Sequence, residues 1–371
     1  MSGSILPDPV ARQPWRVILP LTALTIFGSA VLYSAAQGSL WPWAVIHTVH
    51  YAVFLVMALI MARFPREWFK FAAYPVYAAV LIMLLFVEAL GKIGGGSQRW
   101  LDLGFMTLQP SELMKPAIVL VLARFFDALP PSLTVSWRGL VPAAALLAVP
   151  AFFVIIQPDL GTALAICFGG VVVIFLAGLP LRWFIGAGLA TAVAAPIAYF
   201  AMLHDYQRRR VTIFLDPESD PLGSGYHITQ SKIAIGSGGF FGKGFGNGTQ
   251  SHLDYLPEGH TDFVFATMAE EWGIVGGFFV LFLYFLLMRW GMNVALQSRT
   301  RYGQLVAAGL TCTIFFYIMV NLLMVVGLAP VAGLPLPFIS HGGSSMLTMM
   351  ICVGIIMSIE RHPGPTRGQF N

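Results

Sequence analysis

Ten apolar runs occupy most of the chain, and short polar segments separate nearly all of them. The runs lie near residues 15–36, 42–62, 68–90, 110–127, 139–157, 160–180, 183–203, 263–288, 303–326 and 343–359. About 20 apolar residues cross a bilayer as a helix, and at these lengths only helices satisfy their own backbone in lipid. The pattern predicts an all-α polytopic membrane protein with ten transmembrane helices, forming a single integral membrane domain over residues 1–371.

Composition agrees with a membrane protein and excludes an ordinary soluble domain. Only 10% of residues are charged and 57% are apolar, whereas about a quarter are charged in typical soluble domains. The 21 basic residues exceed the 17 acidic ones, but they are scattered between the apolar runs rather than clustered on one face. We therefore expect no nucleic-acid partner and interpret the basic excess as a topology signal.

Basic residues are unevenly distributed between the two sets of connections. If the N-terminus is cytoplasmic, the inside segments carry residues such as Arg63, Arg138 and Arg301. Three short outside loops contain no Lys or Arg, namely 37–41, 158–159 and 327–342. The positive-inside rule then predicts that both termini are cytoplasmic and that the long loop 204–262 is extracytoplasmic.

The three cysteines and the N-terminal segment carry no competing signal. Cys167, Cys312 and Cys352 all fall inside apolar runs, which argues against a disulfide framework or a zinc site. Residues 1–13 are polar and contain proline, and the first apolar run has no small-residue cleavage signature. We expect no cleavable signal peptide.

An acidic segment leads into the eighth apolar run. Asp254, Glu258 and Asp262 precede the run, and Asp262 lies where the chain enters the membrane. On local sequence alone, the favoured role for Asp262 is an N-cap, whose carboxylate accepts hydrogen bonds from the first free N–H groups of a helix. A capping carboxylate is also held in a fixed direction, so this role does not exclude chemistry.

Ionisable residues also open the fourth run. The segment from Gly91 to Gln109 is glycine-rich and is expected to be flexible, and the helix that follows it starts at Pro110. Glu112 and Lys115 are three residues apart, so they form either a first-turn ion pair or part of a cavity at membrane depth. Asp159, at the outer end of two other runs, is a possible third member of this cluster.

The long loop 204–262 is far longer than a plain connection, which indicates a function. Its three adjacent arginines, residues 208–210, lie outside against the positive-inside bias, so they need an anionic lipid surface or an anionic ligand. Its glycine run, Gly236 to Gly248, lacks the Gly-Lys-Ser/Thr ending of a nucleotide loop. We expect no nucleotide.

The segment between the last two runs is rich in proline and glycine. From Gly333 to Ser344 it predicts a re-entrant or tightly packed outer loop beside the same cavity as Asp262. His341 in this loop is a proton carrier or, more commonly, a histidine with ordinary structural hydrogen bonds. His47 and His50, in the second run, could bind a metal, but hydrogen bonding between helices is the safer interpretation.

Several of these motifs together resemble the SEDS family (shape, elongation, division and sporulation) of ten-helix membrane proteins that polymerise bacterial cell-wall glycan. The resemblance covers nearly the whole chain. It is densest in Arg99-Trp100-Leu101, in Gln109-Pro110-Ser111-Glu112 with Lys115, in residues 205–273 and in residues 333–344. Residues 247–253 and the short N-terminal tail are more similar to the members that act in cell elongation than to those that act in division. His341 departs from the family, where tyrosine precedes Gly-Gly.

The resemblance implies a peptidoglycan glycosyltransferase that polymerises lipid II, a disaccharide-pentapeptide on undecaprenyl diphosphate, into β-1,4 glycan strands during elongation and rod-shape maintenance. It implies that Asp262 is the catalytic residue. A positioned carboxylate can take the proton of a sugar hydroxyl as that hydroxyl attacks the anomeric carbon. The residues expected to bind substrate are Arg99, Gln109, Glu112, Lys115, Asp159, Arg208, Arg210, Gln230, Lys232, His260, Ser340 and His341.

The resemblance also implies partners and a location. The diphosphate leaving group needs cationic help, which we expect from Lys115, the arginines at 208–210 or a divalent cation such as Mg²⁺ or Mn²⁺. The expected protein partner is a class B penicillin-binding protein, and the expected location is the bacterial inner membrane with the active site outside. Two other classes stay open: a flippase for lipid-linked precursors, which ten spans with buried charges also fit, and a scaffold that recruits other wall enzymes.

Overall fold

A computed structural model describes residues 14–90, 92–94, 97–102, 107–201, 208, 212–213, 216, 223–253, 255–256 and 258–364. Within these ranges, ten long apolar helices correspond to the ten apolar runs. They are α1 (Trp15–Ala35), α2 (Trp43–Met61), α3 (Arg66–Leu90), α4 (Pro110–Ala128), α5 (Trp137–Ile156), α6 (Leu160–Leu176), α7 (Leu181–Ala201), α10 (Val264–Gln297), α11 (Arg301–Val325) and α12 (Gly343–Arg361).

The predicted all-α, multi-span architecture is confirmed. In the described part of the chain, seven of these helices are long and apolar enough to cross a membrane by length and composition. Of the other three, α4 carries ionisable residues, including Glu112 and Lys115, while α6 has 17 residues and α7 has a described apolar stretch ending at Ala194.

Two connections are more ordered than the sequence predicts. The segment before α4, expected to be flexible, contains a three-stranded antiparallel sheet of β1 (Lys92–Gly94), β2 (Ser97–Asp102) and β3 (Thr107–Leu108). The long loop contains α8 (Ser224–Gly238) and the short α9 (Thr249–His252). Glycine content decided the prediction for the first segment, and no helix was predicted in the long loop. The strands nevertheless pair with each other and α8 packs against α10, so tertiary contacts decide the local structure.

The helix α10 is kinked where α8 and the turn after it pack against it. Gly273, with φ of 62°, interrupts the helical backbone. A Cβ at this position would lie 2.4 Å from the backbone nitrogen of Gly242 and 2.6 Å from the carbonyl oxygen of Phe240. Only glycine accommodates both the positive φ and this close approach, so the kink fixes the long loop against the membrane domain.

The core is a continuous apolar cluster through the centre of the bundle. The helix α11 packs against α4, α6, α10 and α12, and α12 packs in turn against α2. The beginnings of α4, α6, α10 and α12 therefore lie at the same end of the bundle. The segment 326–342, between α11 and α12, lies among them and closes the candidate site.

Candidate active site

A cavity of about 610 Å³ opens among these helix beginnings. Ligand sites usually occupy about 300–1,000 Å³ and contain a few convergent polar groups. The residues lining the cavity are Arg99, Trp100, Gln109, Glu112, Asp159, Thr162, Glu258, Thr261, Asp262, Ala332, Gly333, Pro335, His341, Gly342, Gly343, Ser344 and Ser345. Six of the predicted site residues are therefore brought together: Arg99, Gln109, Glu112, Asp159, Asp262 and His341.

Asp262 does not act as the N-cap that local sequence favours. The N-cap of α10 is Phe263, one residue after Asp262, and this cap makes no side-chain hydrogen bond. The segment around Asp262 is held from behind: Asn321 Nδ2 donates to the Asp262 carbonyl at 2.8 Å, and Ser340 Oγ donates to the Thr261 carbonyl at 2.6 Å. Because these bonds use the backbone, the Asp262 carboxylate is directed into the cavity instead of onto its own helix.

The electrostatics around Asp262 suit a base near neutral pH. Burial, and secondarily the like charge of Glu258, raise the pKa of Asp262 from 3.8 to about 6. Glu258 is itself exposed and accepts a 2.5 Å hydrogen bond from Thr261 Oγ1. General bases work best when their pKa lies near the working pH, and Asp262 meets that condition.

The first polar group on the opposite wall is centred on Arg99. Its Nε donates to the Gln157 carbonyl at 2.8 Å, and its Nη2 donates to the Pro158 carbonyl at 2.5 Å. Asp159, 3.8 Å from Arg99 Nη1, caps α6 through the Thr162 N–H and accepts a 2.8 Å bond from Gln109 Nε2. Arg99 therefore supplies a positive charge on this wall of the cavity, and the loop before α6 holds its side chain in place.

A close backbone contact fixes this loop against the loop bearing His341. A Cβ at Gly161 would lie 2.2 Å from the carbonyl oxygen of Ala332. The neighbouring Gly333 has φ of 65°, and a Cβ there would lie 3.8 Å from Asp262 Oδ2. Small residues at these two positions let the walls bearing Asp159 and Asp262 approach each other.

The second polar group lies deeper and contains Glu112 and Lys115. Glu112 lines the cavity, but Lys115 is fully buried behind it, paired with Glu112 and 4.3 Å from the centre of the Tyr317 ring. Tyr317 donates to both Glu112 oxygens at 3.0 Å. Lys115 therefore compensates a buried carboxylate and does not line the cavity, whereas Arg99 does.

The histidines divide into lining and packing groups. His341 lines the cavity, its backbone N–H donates to the His260 carbonyl at 2.9 Å, and burial with nearby histidines lowers its pKa. His260 instead stacks on Trp43 with ring centres 4.0 Å apart. His47 contacts the loop before α12 rather than a neighbouring helix, through Nε2 to the Phe338 carbonyl at 3.2 Å.

The other predicted substrate-binding residues lie elsewhere. Ser340 is 4% exposed, and its hydroxyl is used within the protein by Thr261 and by the Leu336 N–H. Gln230 and Lys232 lie on α8, and they do not line the cavity, nor does Arg208. Sequence position in a functional loop could not reveal that α8 packs along α10. Arg210 lies outside the described residues.

Some lining residues were not predicted to bind substrate. These are Trp100, Thr162, Glu258, Thr261, Ala332, Gly333, Pro335, Gly342, Gly343, Ser344 and Ser345. Glu258 had a usable signal, since it lies one helical turn before Asp262 in the same acidic segment. Ser344 had no such sequence signal, because its 2.8 Å hydrogen bond to the Thr107 carbonyl depends on the sheet, which was not predicted.

The cavity does not build a metal site from the residues the structure describes. Within those ranges, no group of three or more His, Cys, Asp or Glu side chains is placed to hold a metal ion. Metal sites made only of protein need several convergent ligands.

Comparison with known proteins identifies the family. Residues 14–364 match the family model described as cell cycle protein, whose label names FtsW, RodA and SpoVE. The chain belongs to this family. It is 45% identical over 357 residues to the peptidoglycan glycosyltransferase MrdB of Escherichia coli K12, covering 96% of this chain and 95% of the relative. It is 37% identical over 297 residues to the stage V sporulation protein E of Bacillus subtilis, covering 80% of each.

Solved structures share the fold. A chain from a study of the structural coordination of polymerization and crosslinking by a peptidoglycan synthase complex superposes with a TM-score of 0.82 at 32% identity, covering 94% of this chain and 98% of that one. The rod shape determining protein RodA of Thermus thermophilus gives a TM-score of 0.70 at 28% identity, covering 94% and 97%. The SEDS resemblance predicted from the motifs is thus confirmed.

Proposed function

We propose that this chain, a peptidoglycan glycosyltransferase of the rod-shape determining kind, polymerises lipid II in the cavity around Asp262 and releases undecaprenyl diphosphate. The observation that carries the proposal is the Asp262 carboxylate, which lines a cavity of about 610 Å³ and has its pKa raised to about 6. A sugar hydroxyl is a poor nucleophile, and a base of this strength can accept its proton in the transition state.

The proposed reaction uses Asp262 as the base and the diphosphate of the donor as the leaving group. The ionised Asp262 carboxylate takes the proton of the acceptor 4-hydroxyl group. At the same time the oxygen of that hydroxyl group attacks the anomeric carbon of the donor. Attack from the face opposite the diphosphate inverts that carbon, from an α-linked diphosphate to a β-1,4 glycan. Because the diphosphate is already a good leaving group, the reaction needs no second carboxylic acid to protonate it.

Stabilisation of the leaving diphosphate is assigned to the opposite wall. Arg99 lines the cavity, and its guanidinium plane is suited to phosphate oxygens. Its bonds to the Gln157 and Pro158 carbonyls hold the side chain in place before substrate arrives. Preorganised charge of this kind stabilises the charge that develops as the bond breaks. A divalent cation carried by the diphosphate would add to it, and no nucleotide is required.

We also propose the location and the protein partner. The bias of basic residues supports cytoplasmic termini and a cavity on the outer face of the inner membrane, where the glycan would grow. The likeness to a chain of a peptidoglycan synthase complex supports assembly with a class B penicillin-binding protein.

An experiment in detergent separates this function from lipid transport. Purified full-length protein is incubated with lipid II and Mg²⁺ or Mn²⁺, and products are resolved by length. We expect glycan strands, which disappear when a chelator is added. A flippase would leave lipid II unchanged, because detergent provides no membrane to cross.

A scaffold would also leave lipid II unchanged in that assay, even with its partner's transpeptidase domain present. Full polymer yield in the presence of the chelator would remove the divalent cation from the proposal and leave the enzyme assignment intact.

A further inference from the structure

A second cavity lies at the opposite end of the bundle from the candidate active site. It has a volume of about 390 Å³, and it opens where the start of α1 meets the ends of α2 and α12. Gly343, in the active-site wall, and Arg361, in this cavity, are the two ends of α12, roughly 27 Å apart at 1.5 Å per residue. The two cavities are therefore separate sites on opposite faces of the membrane domain.

The charge of this cavity is net positive. Arg16 and Arg361 line it together with one carboxylate, Glu360. That carboxylate already accepts a 3.1 Å hydrogen bond from Trp290 Nε1. Arg16 interacts electrostatically with Glu360, so the two arginines together still leave one positive charge that the lining carboxylate does not balance. Two exposed guanidinium groups sharing one concave surface favour an anion.

The surroundings of the arginines indicate that the anion belongs to a lipid. Leu19, nearly one helical turn into α1 from Arg16, is 61% exposed, and Ile60, near the end of α2, is 52% exposed. In membrane-spanning helices such side chains face acyl chains. Trp15 also lines the cavity and is 37% exposed, as expected for tryptophan at the headgroup level. A soluble anion would gain nothing from this apolar border.

We propose that this cavity binds the anionic headgroup of a membrane phospholipid. The phosphate lies between Arg16 and Arg361, and the acyl chains run along Leu19 and Ile60. Arginine forks bind phosphate oxygens in pairs, and basic pockets between transmembrane helices on the cytoplasmic side bind anionic headgroups. The site joins α1, α2 and α12, and the same α12 begins in the wall of the catalytic cavity.

Native mass spectrometry of the purified full-length protein tests this site. The apparent affinities for phosphatidylglycerol and phosphatidylcholine with the same acyl chains are compared. We expect tighter binding of phosphatidylglycerol. The double variant Arg16→Gln with Arg361→Gln should weaken that binding about thirtyfold, because each basic residue near an anionic surface contributes roughly fivefold. Phosphatidylcholine binding should not change.

Matched variants complete the design. Arg138→Gln with Arg182→Gln removes two exposed arginines from the same membrane face but outside the cavity, and should leave phosphatidylglycerol affinity unchanged. The double variant Arg16→Lys with Arg361→Lys keeps both positive charges and should retain most of the phosphatidylglycerol affinity. Glu360→Gln removes the competing anion and should raise the affinity roughly fivefold; this gain remains measurable even if the glutamine double variant does not fold.

Three results would overturn the proposal. The first is equal affinity of the wild type for the two lipids. The second is an equal loss in the Arg138 and Arg182 control, which would indicate a diffuse effect of surface charge. The third is complete displacement of phosphatidylglycerol by excess inorganic phosphate, which would assign the cavity to a soluble anion.

Discussion

Asn321 Nδ2 donates to the backbone carbonyl of Asp262 across 2.8 Å, so a fully buried amide of α11 holds the segment that carries the candidate base. The same Nδ2 donates to the Leu334 carbonyl, also at 2.8 Å. One side chain thereby joins both loops that border the cavity. Together with the Ser340 bond to the Thr261 carbonyl, this contact fixes the backbone at Asp262.

Replacing Asn321 by Leu removes both bonds and leaves two buried carbonyls without their donor. We expect a loss of about 1–3 kcal/mol in the free energy of unfolding and a fall in kcat larger than the rise in KM, because the base is displaced while the walls remain. Thermal unfolding and lipid II turnover measure these effects.

Thr313→Val is the matched control for Asn321→Leu. Thr313 is buried in the same helix, but its hydroxyl bonds only the Gly309 carbonyl of that helix. The Thr313→Val control should leave kcat and KM unchanged. An Asn321→Leu variant with wild-type kcat would show that the contact does not position the base.

The rate of polymerisation should depend on the ionisation of Asp262. Its pKa is raised to about 6, so the ionised base is lost as the pH falls through 6, and kcat/KM should fall roughly tenfold per pH unit below that value. Glu258→Gln removes the like charge and should move this acid limb to lower pH. Glu67→Gln, an exposed carboxylate paired with Arg66, should leave the limb in place.

If the acid limb does not move in the Glu258→Gln variant, the limb reports the titration of a group other than Asp262. The comparison uses the pH profile rather than a single rate, since Glu258 also lines the cavity and its loss can change substrate binding.

Asp262 should cost the protein stability at neutral pH. The folded-state pKa lies above the unfolded value of 3.8, so the folded state holds the proton more tightly, and stability falls as the pH rises from about 4 through 6. Asp262→Asn removes this cost. At pH 8 the variant should be more stable than the wild type by at most about 3 kcal/mol, and the difference should shrink to about 1 kcal/mol at pH 4.5.

Thermal unfolding of Asp262→Asn at pH 8 and pH 4.5 measures that difference. Equal melting temperatures at both values would contradict the burial of an ionised carboxylate. A gain in stability at the expense of activity is common where a group serves catalysis.

The pairing of Lys115 with Glu112 should matter for folding more than for substrate. Lys115→Met leaves the Glu112 carboxylate buried without its cation, and the free energy of unfolding should fall by about 3–5 kcal/mol. Glu112→Gln combined with Lys115→Met removes both charges and should recover most of the loss. Thermal unfolding in detergent compares the three proteins. A double variant no more stable than Lys115→Met alone would show that the charge pair is not the cause.

Much of the fold was predictable because the bilayer imposes it. Ten long apolar runs can only become helices in lipid, and the structure has a long helix for each. The sheet of β1, β2 and β3 was missed because glycine suggested flexibility, and α8 was not predicted within the long loop. Strand pairing and packing on α10 decide these structures. Local composition does not contain those contacts.

The candidate site was predictable to the extent that its chemistry is exceptional. Asp262, Glu112 and Asp159 stand out because carboxylates are rare beside apolar runs, and all three line one cavity. The depth of each side chain was not predictable: Lys115 is completely buried and Ser340 nearly so, and both serve neighbouring protein groups. Sequence spacing places residues on a helix, but only packing decides which of them reach the cavity.

The most direct test of the account is single-turnover polymerisation of lipid II by Asp262→Asn in detergent, with lipid II binding measured on the same preparation. Asparagine keeps the shape of the side chain and removes its basicity. We predict unchanged lipid II affinity, a melting temperature at least equal to that of the wild type, and a rate of glycan formation reduced at least about 100-fold. A folded Asp262→Asn protein that polymerises lipid II at the wild-type rate would contradict the assignment of Asp262 as the base.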